Sequence, residues 1–168
     1  VRELTRPTAG RPPKSFVQAA ITIVHGVCNG LHHAHTLTAP DGQPLRVVHR
    51  DVSPHNVFVT HDGHVKLIDF GIAKAADRAS ETRSMLKGKF GYMSPEQALN
   101  APLDCRSDIF ATAIVLYELT TGVRLFDGEN DFEVLKKLLE LPLTPPTRVV
   151  PGRRTSGDGA SLGPYGTG

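Results

Sequence analysis

The apolar residues that follow Ser15 recur at steps of three and four positions as far as His35. This spacing is typical of an amphipathic helix with one buried face, so the pattern predicts a helix over 16–35 with Ser15 as its N-cap. The residues expected on the buried face are Phe16, Ala20, Ile23, Val24, Val27, Leu31 and Ala34.

Two short apolar segments, 56–60 and 64–68, have the length and composition of β-strands. The residues His61-Asp62-Gly63 join them, and the glycine suits a turn position that requires positive φ. The pattern therefore predicts a small β-hairpin.

Two more helices are predicted nearer the C-terminus. The first, over 107–121, is apolar on nearly every side, so we expect it inside the core, with Gly122 closing it. The second, over 130–141, is amphipathic and ends before Pro142. The intervening segment 73–89 is polar and irregular, which predicts a long surface loop. The expected fold class is mainly α with a small β-hairpin.

The 168 residues are 39% hydrophobic and 21% charged, with a net charge of +2. This length suits one domain, and the near-neutral charge disfavours nucleic acid or a membrane surface as a partner. The longest apolar stretch, 109–119, is far shorter than the ~20 residues that span a bilayer.

The cysteines, Cys28 and Cys105, lack metal-ligand spacing, so we interpret both as small core residues. We expect a cytoplasmic location, although the parent protein could carry a membrane anchor.

Four short motifs carry the candidate chemistry: the catalytic-loop candidate His49-Arg50-Asp51-Val52-Ser53-Pro54-His55-Asn56, then Asp69-Phe70-Gly71, Ser94-Pro95-Glu96 and Arg106-Ser107-Asp108. In this order and spacing they resemble the motifs of protein kinases. The sequence Val-Ser-Pro-His-Asn resembles the catalytic-loop sequences of the large kinase families of some soil bacteria. The chain is therefore identified as resembling the C-terminal lobe of a bacterial (Hanks-type) serine/threonine protein kinase.

The resemblance implies phosphoryl transfer from ATP to a hydroxyl of a protein substrate, with Mg²⁺ as the metal. Asp51 would accept or orient the proton of the substrate hydroxyl. Asn56 and Asp69 would be the oxygen ligands of Mg²⁺.

The resemblance assigns further positions around the nucleotide. Phe58 would form the floor under adenine, with Val57 and Val59 packing beneath it. His49 and Phe70 would belong to the stacked column of side chains that links the two lobes of an active kinase.

Two structural carboxylates also follow from the resemblance. Asp108 would accept hydrogen bonds from the backbone around His49 and Arg50. Glu96 is expected to lack its usual arginine partner, because the family carries that arginine on a later helix. Here the candidates Arg153 and Arg154 lie in the glycine-rich tail.

The activation segment suggests regulation by phosphorylation. Arg50 and Lys74 match positions that hold an activation-loop phosphate in the family. The candidate acceptors of that phosphate are Ser84, Thr82 and Ser80.

One departure from the family pattern concerns catalysis. Most serine/threonine kinases carry a lysine where this chain has Ser53, and a threonine where it has Lys89. We expect the two groups to have changed places, so that Lys89 reaches the γ-phosphate and Ser53 bonds Asp51.

The chain contains no glycine-rich phosphate loop and no strand lysine for the phosphates. We therefore expect a partial kinase domain over 1–152, truncated at both ends and missing its N-terminal lobe, which would be a partner. A disordered glycine-rich tail is expected over 153–168. By itself the chain is expected to be inactive.

The alternative to a kinase function is a non-catalytic, kinase-derived module that binds proteins. A small-molecule phosphotransferase is disfavoured by Phe70-Gly71 and by residues 94–96.

Overall fold

A computed structural model of the chain describes residues 14–70, 90–140 and 143–149. In these residues the α-helices and β-strands are α1 (Lys14–His35), β1 (Val57–Val59), β2 (Val65–Leu67), α2 (Pro95–Ala98), α3 (Cys105–Thr121) and α4 (Asp131–Glu140). Single 3₁₀ turns occupy Pro54–Asn56, Phe90–Tyr92 and Pro146–Arg148. The predicted fold class, mainly α with a β-hairpin, is confirmed. The expected loop 73–89 and tail 153–168 lie outside the described residues.

Helix α1 buries the face that its periodicity indicates. Its buried residues are Ala20, Ile23, Val27, Leu31 and Ala34, whereas Phe16 and Val24 are only partly buried. The helix begins at Lys14, so Ser15 lies in its first turn and the prediction that Ser15 is the N-cap was wrong.

The hairpin is antiparallel, with Val57 opposite Leu67 and Phe58 opposite Lys66. Gly63 has the positive φ, 85°, that the turn sequence predicts. Val59 is 42% exposed, so the expectation that it packs beneath the adenine floor was wrong. It is the last residue of β1 and precedes the exposed turn.

Helix α3 is longer than predicted because its N-cap is a polar residue that precedes the apolar run. The Asp104 carboxylate accepts a hydrogen bond from the Arg106 N–H at 2.9 Å, and the helix begins at Cys105. Gly122 caps the other end with a φ of 72°. We expected this helix to be enclosed on all sides, but Ile109 is 51% exposed, so one side of the helix faces solvent.

Helix α1 packs against both α3 and β2, which fixes the hairpin over the core. Gly26 allows the close approach to β2, because a Cβ atom there would lie 2.5 Å from the Cβ of Val65. Cys28 follows Val27 on the outer side of α1, and Cys105 is the first residue of α3. Both cysteines are free and exposed, so the prediction that they are core residues was wrong.

Helix α4 buries Val134 and Leu138 and packs against the Phe90–Tyr92 turn. Its start is capped by the Asn130 side chain, which accepts a hydrogen bond from the Glu133 N–H at 3.0 Å. In the part of the chain that is described, no helix is both long enough and apolar enough to cross a membrane.

Candidate active site

The catalytic loop is held to α3 by the buried carboxylate of Asp108. The backbone N–H groups of His49 and Arg50 each donate to it at 2.8 Å. The His35 ring, at the end of α1, lies 2.7 Å from the same carboxylate through Nε2. A carboxylate that is only 1% exposed needs several such donors, and these three supply them. The two backbone hydrogen bonds are those expected from the sequence, while His35 was not anticipated.

The His49 imidazole connects the catalytic loop to the segment after β2. Its Nε2 is 3.0 Å from the Ile68 carbonyl, and its Nδ1 accepts the Asp51 N–H at 3.2 Å. A carbonyl can only accept, so Nε2 carries the proton and the ring is neutral. Burial lowers the pKa of His49, against the opposing effect of the Ile68 carbonyl and nearby carboxylates. The ring also contacts Phe70, with the ring centroids 4.4 Å apart.

Asn56 has its side chain oriented by the catalytic loop. Its Nδ2 donates to the Asp51 carbonyl at 2.7 Å, which leaves Oδ1 as the amide's only acceptor. The Asn56 carbonyl accepts the Ile68 N–H at 2.9 Å, and Asp69 is the residue next to Ile68 in the chain. Asp69 is exposed and has a φ of 58°, which turns the chain sharply at that residue. An amide oxygen and a carboxylate are thus placed by the same hairpin.

Phe58 lies on the outer face of the hairpin and is 52% exposed. Its cross-strand neighbour Lys66 is on the same face, because directly opposed residues share a side of the sheet. The hairpin therefore presents a flat aromatic surface next to the Asn56 and Asp69 end.

Ser53 differs from its predicted arrangement. Its side chain is 2% exposed, and among the described residues its Oγ has no hydrogen-bond partner. The expected bond from Ser53 to Asp51 is therefore absent, and that prediction was wrong. Lys89 lies outside the described residues, as do Lys74 and the candidate phosphate acceptors Ser80, Thr82 and Ser84.

Glu96 has a hydrogen-bond donor other than an arginine among the described residues. The Ser107 hydroxyl at the start of α3 donates to its carboxylate, and the residue is only partly buried. Partial burial alone would raise the pKa of Glu96, but hydrogen bonds led by that of Ser107 bring it below its usual range. Arg153 and Arg154 lie outside the described residues.

Sequence reasoning also missed Gln97 and the role of Ser94. These two residues form a reciprocal capping box at the start of α2, in which each side chain bonds the other's backbone N–H. The pattern Ser-x-x-Gln before a helix is a known signature of this cap and could have revealed it. Gln97 also donates a hydrogen bond from Nε2 to the Arg50 carbonyl in the catalytic loop, and no local sequence pattern indicates that contact.

Residues 13–150 match the family described as the protein kinase domain. The chain belongs to this family.

Several curated bacterial kinases are similar to the chain. The tyrosine-protein kinase MasK of Myxococcus xanthus is 49% identical over 132 residues, which is 78% of this chain and 20% of MasK. A probable serine/threonine-protein kinase of Corynebacterium efficiens is 39% identical over 141 residues, covering 82% of this chain and 20% of that protein. The serine/threonine-protein kinase PknL of Mycobacterium tuberculosis is 33% identical over 153 residues, covering 90% of this chain and 35% of PknL. The chain thus spans about a fifth of the length of the first two.

Proposed function

We propose that this chain is the catalytic-loop part of a serine/threonine protein kinase that transfers the γ-phosphate of ATP to a protein hydroxyl. The observation that carries the proposal is the continuous set of hydrogen bonds from Asp108 through His49 to Asp51 and on to Asn56. This set holds the backbone that carries the Asp51 carboxylate and orients the Asn56 amide, and phosphoryl transfer depends mainly on such positioning.

In this proposal Asp51 accepts or orients the proton of the substrate hydroxyl. Its backbone is held on both sides, by the His49 ring at the N–H and by the Asn56 amide at the carbonyl. Arg50, immediately before it, belongs to the same site. A base held in this way needs little reorganisation when the substrate arrives.

Asn56 and Asp69 suit Mg²⁺, which prefers hard oxygen ligands and usually keeps phosphate and water oxygens in its shell. In the part of the chain that is described, no three His, Cys, Asp or Glu side chains form a metal site by themselves. Mg-ATP fits this donor set because its phosphates supply the oxygens that the protein lacks. Mg²⁺ would neutralise charge on the phosphates, and the exposed Phe58 ring offers a surface for adenine.

The serine/threonine preference is part of the proposal. The relatives from C. efficiens and M. tuberculosis are named serine/threonine kinases, whereas MasK is named a tyrosine kinase. Because ATP is a cytoplasmic metabolite and both cysteines are free, we place the domain in the cytoplasm. Its partners would be a protein substrate and an N-terminal kinase lobe, and the domain would occupy residues 1–152.

A fusion that supplies the N-terminal lobe of the M. xanthus relative ahead of Lys14 tests the function. Incubation with Mg-ATP and a general protein substrate should yield phosphoserine or phosphothreonine, and Asp51→Asn should lower kcat by ~10³-fold or more. Phosphotyrosine as the main product would reverse the assigned preference. Equal inactivity of the wild-type and Asp51→Asn fusions, both folded, would favour a non-catalytic binding module.

Catalysis in this proposal also uses Lys89 as the cation for the γ-phosphate, in place of the lysine that Ser53 replaces. In the same fusion, Lys89→Thr should lower kcat by ~10²-fold, and adding Ser53→Lys should recover part of the loss. Near wild-type turnover in Lys89→Thr would contradict the role.

Regulation in this proposal uses a phosphate on Ser84, Thr82 or Ser80, held by Arg50 and Lys74. A fusion with all three acceptors changed to alanine should have lower activity than the wild type. Equal activity of the two would end this part of the proposal.

A further inference from the structure

The side chain of Gln97 joins two parts of the molecule that are far apart in sequence. Its Oε1 accepts the Ser94 N–H at 3.0 Å, which is one half of the cap of α2. Its Nε2 donates to the Arg50 carbonyl at 2.8 Å, 47 residues away in the chain. One amide group therefore uses its acceptor for the Ser94-Pro95-Glu96 segment and its donor for the catalytic loop.

The Arg50 carbonyl belongs to the peptide unit that leads into Asp51. The N–H of the same unit is that of Asp51, which donates to Nδ1 of His49 at 3.2 Å. Both polar atoms of this one peptide plane are thus held, by Gln97 on one side and by His49 on the other. The orientation of this plane sets the direction in which the Asp51 side chain leaves the backbone.

The backbone here is also unfavourable by itself. Arg50 has a φ of 68°, a left-handed conformation that costs energy in a residue with a Cβ atom. Such a conformation persists only when the surroundings hold it. Asp108 holds the Arg50 N–H at 2.8 Å, and Gln97 holds the Arg50 carbonyl.

We propose that Gln97 is a positioning residue for the catalytic carboxylate: it couples the capped start of α2 to the peptide plane before Asp51. When the segment around Ser94 is in place, the amide of Gln97 is oriented by the cap and presents its N–H to Arg50. If this segment moves, the strained peptide loses one of its supports and Asp51 changes direction. This inference rests on the proposed kinase function for its catalytic consequence, but the coupling itself is a property of the fold.

Substitutions at positions 97 and 94 can separate the cap of α2 from the hydrogen bond between Gln97 and Arg50. A glutamate at 97 can keep the cap, because Ser-x-x-Glu is an equally good capping box, but its carboxylate cannot donate to a carbonyl. A methionine has a similar length without charge and loses both interactions. Ser94→Ala removes the cap hydroxyl, which accepts the Gln97 N–H at 3.4 Å, but keeps the Ser94 N–H that orients Oε1 of Gln97, so Nε2 can still bond Arg50.

The first measurement is amide hydrogen exchange by NMR on the 168-residue chain. We expect Gln97→Glu and Gln97→Met to lower the protection of the Asp51 and Arg50 amides by about tenfold, the effect of losing one hydrogen bond. Amides within α3 should be unchanged. In Ser94→Ala the protection of the Asp51 amide should stay within about twofold of wild type, whereas α2 amides lose protection.

The second measurement is steady-state kinetics in the fusion that carries an N-terminal kinase lobe. Gln97→Glu and Gln97→Met should each lower kcat by about tenfold with little change in the KM for ATP, since only the direction of Asp51 is affected. Ser94→Ala should lower kcat by no more than about twofold. A purely structural role would instead lower Tm in all three variants and leave kcat per folded molecule the same.

The two measurements distinguish the possible failures. Unchanged protection of the Asp51 amide in both Gln97 variants would overturn the coupling, as would unchanged kcat in a fusion whose wild type is active. Absence of phosphoryl transfer in the wild-type fusion would count against the proposed function. Hydrogen exchange would then still decide whether Gln97 holds the catalytic loop.

Discussion

At the scale of single residues, the site combines well-satisfied buried groups with one that is not. The Asp108 carboxylate has three donors, whereas the buried Ser53 hydroxyl has no partner among the described residues. Burying a hydroxyl without a hydrogen bond costs about 1–3 kcal/mol in proteins. The buried hydroxyl of Ser53 is therefore expected to lower the stability of the chain.

Ser53→Ala should accordingly increase the free energy of unfolding by about 1 kcal/mol, since the methyl group fills nearly the same space without an unsatisfied oxygen. Urea unfolding of the 168-residue chain measures this difference. Ser107→Ala is the matched control: its hydroxyl is equally buried but donates to Glu96, so its loss should be destabilising. A destabilised Ser53→Ala would show that the hydroxyl has a partner in solution.

His49 makes the stability of the chain depend on pH. Its lowered pKa means that the folded state holds the neutral ring more strongly than the unfolded state does. Above the ordinary value of 6.5 the ring is neutral in both states and its contribution is complete. As the pH falls below 6.5 the unfolded state takes up the proton first, so stability declines toward the lowered pKa, by at most about 1.4 kcal/mol per pH unit.

We expect the free energy of unfolding to fall between pH 7 and pH 5 more steeply in wild type than in His49→Gln. Glutamine can still donate and accept but does not titrate, so the difference between the two slopes isolates this ring from the other histidines. Parallel slopes would contradict the assignment of a neutral, buried imidazole.

At the scale of elements, the hairpin that carries Asn56 and Asp69 depends on its fit against α1. Two glycines of α1 face β2, but at different distances. A Cβ atom at Gly26 would lie 2.5 Å from the Cβ of Val65, whereas at Gly30 the nearest atom, the Cβ of Leu67, is 3.9 Å away. The first distance is a clash of a kind that real structures avoid, and the second is an ordinary contact.

The two alanine substitutions should therefore change the free energy of unfolding in opposite directions. Gly26→Ala should destabilise the chain by about 1–3 kcal/mol, because either α1 or β2 must move. Gly30→Ala should stabilise it by up to about 1 kcal/mol through higher helix propensity. Thermal unfolding of both variants checks this, and a shift of the same sign in both would contradict the close packing at Gly26.

The sequence predicts elements better than it predicts contacts between them. Periodicity located α1 and α4, and the turn at Gly63 located the hairpin. The start of α3 was missed because its cap, Asp104, precedes the first apolar residue by several positions. The bonds of His35 to Asp108 and of Gln97 to Arg50 join residues 73 and 47 positions apart, and nothing local in the sequence specifies them.

At the scale of the whole molecule, the proposed function gives the described residues only one side of a nucleotide site. In that proposal Phe58 lies beneath a base, and Asn56 and Asp69 bind a metal-bound phosphate. The 168-residue sequence contains neither the glycine-rich loop motif nor the lysine motif with which kinases contact the phosphates from the other side. The affinity of the chain for Mg-ATP therefore depends on how much those missing contacts are worth.

Charge-assisted hydrogen bonds are worth about 1.5–3 kcal/mol each, so the loss of two of them weakens binding by about 10²–10⁴-fold. We expect isothermal titration of the 168-residue chain with Mg-ATP to give a Kd no tighter than the high micromolar range. The fusion that supplies an N-terminal lobe should bind at least 100-fold more tightly, and Asp69→Asn should weaken that binding. A low-micromolar Kd for the chain alone would contradict this account, because the hairpin would then hold the nucleotide without a clamp. Equal affinities of chain and fusion would show that the supplied lobe does not complete this site.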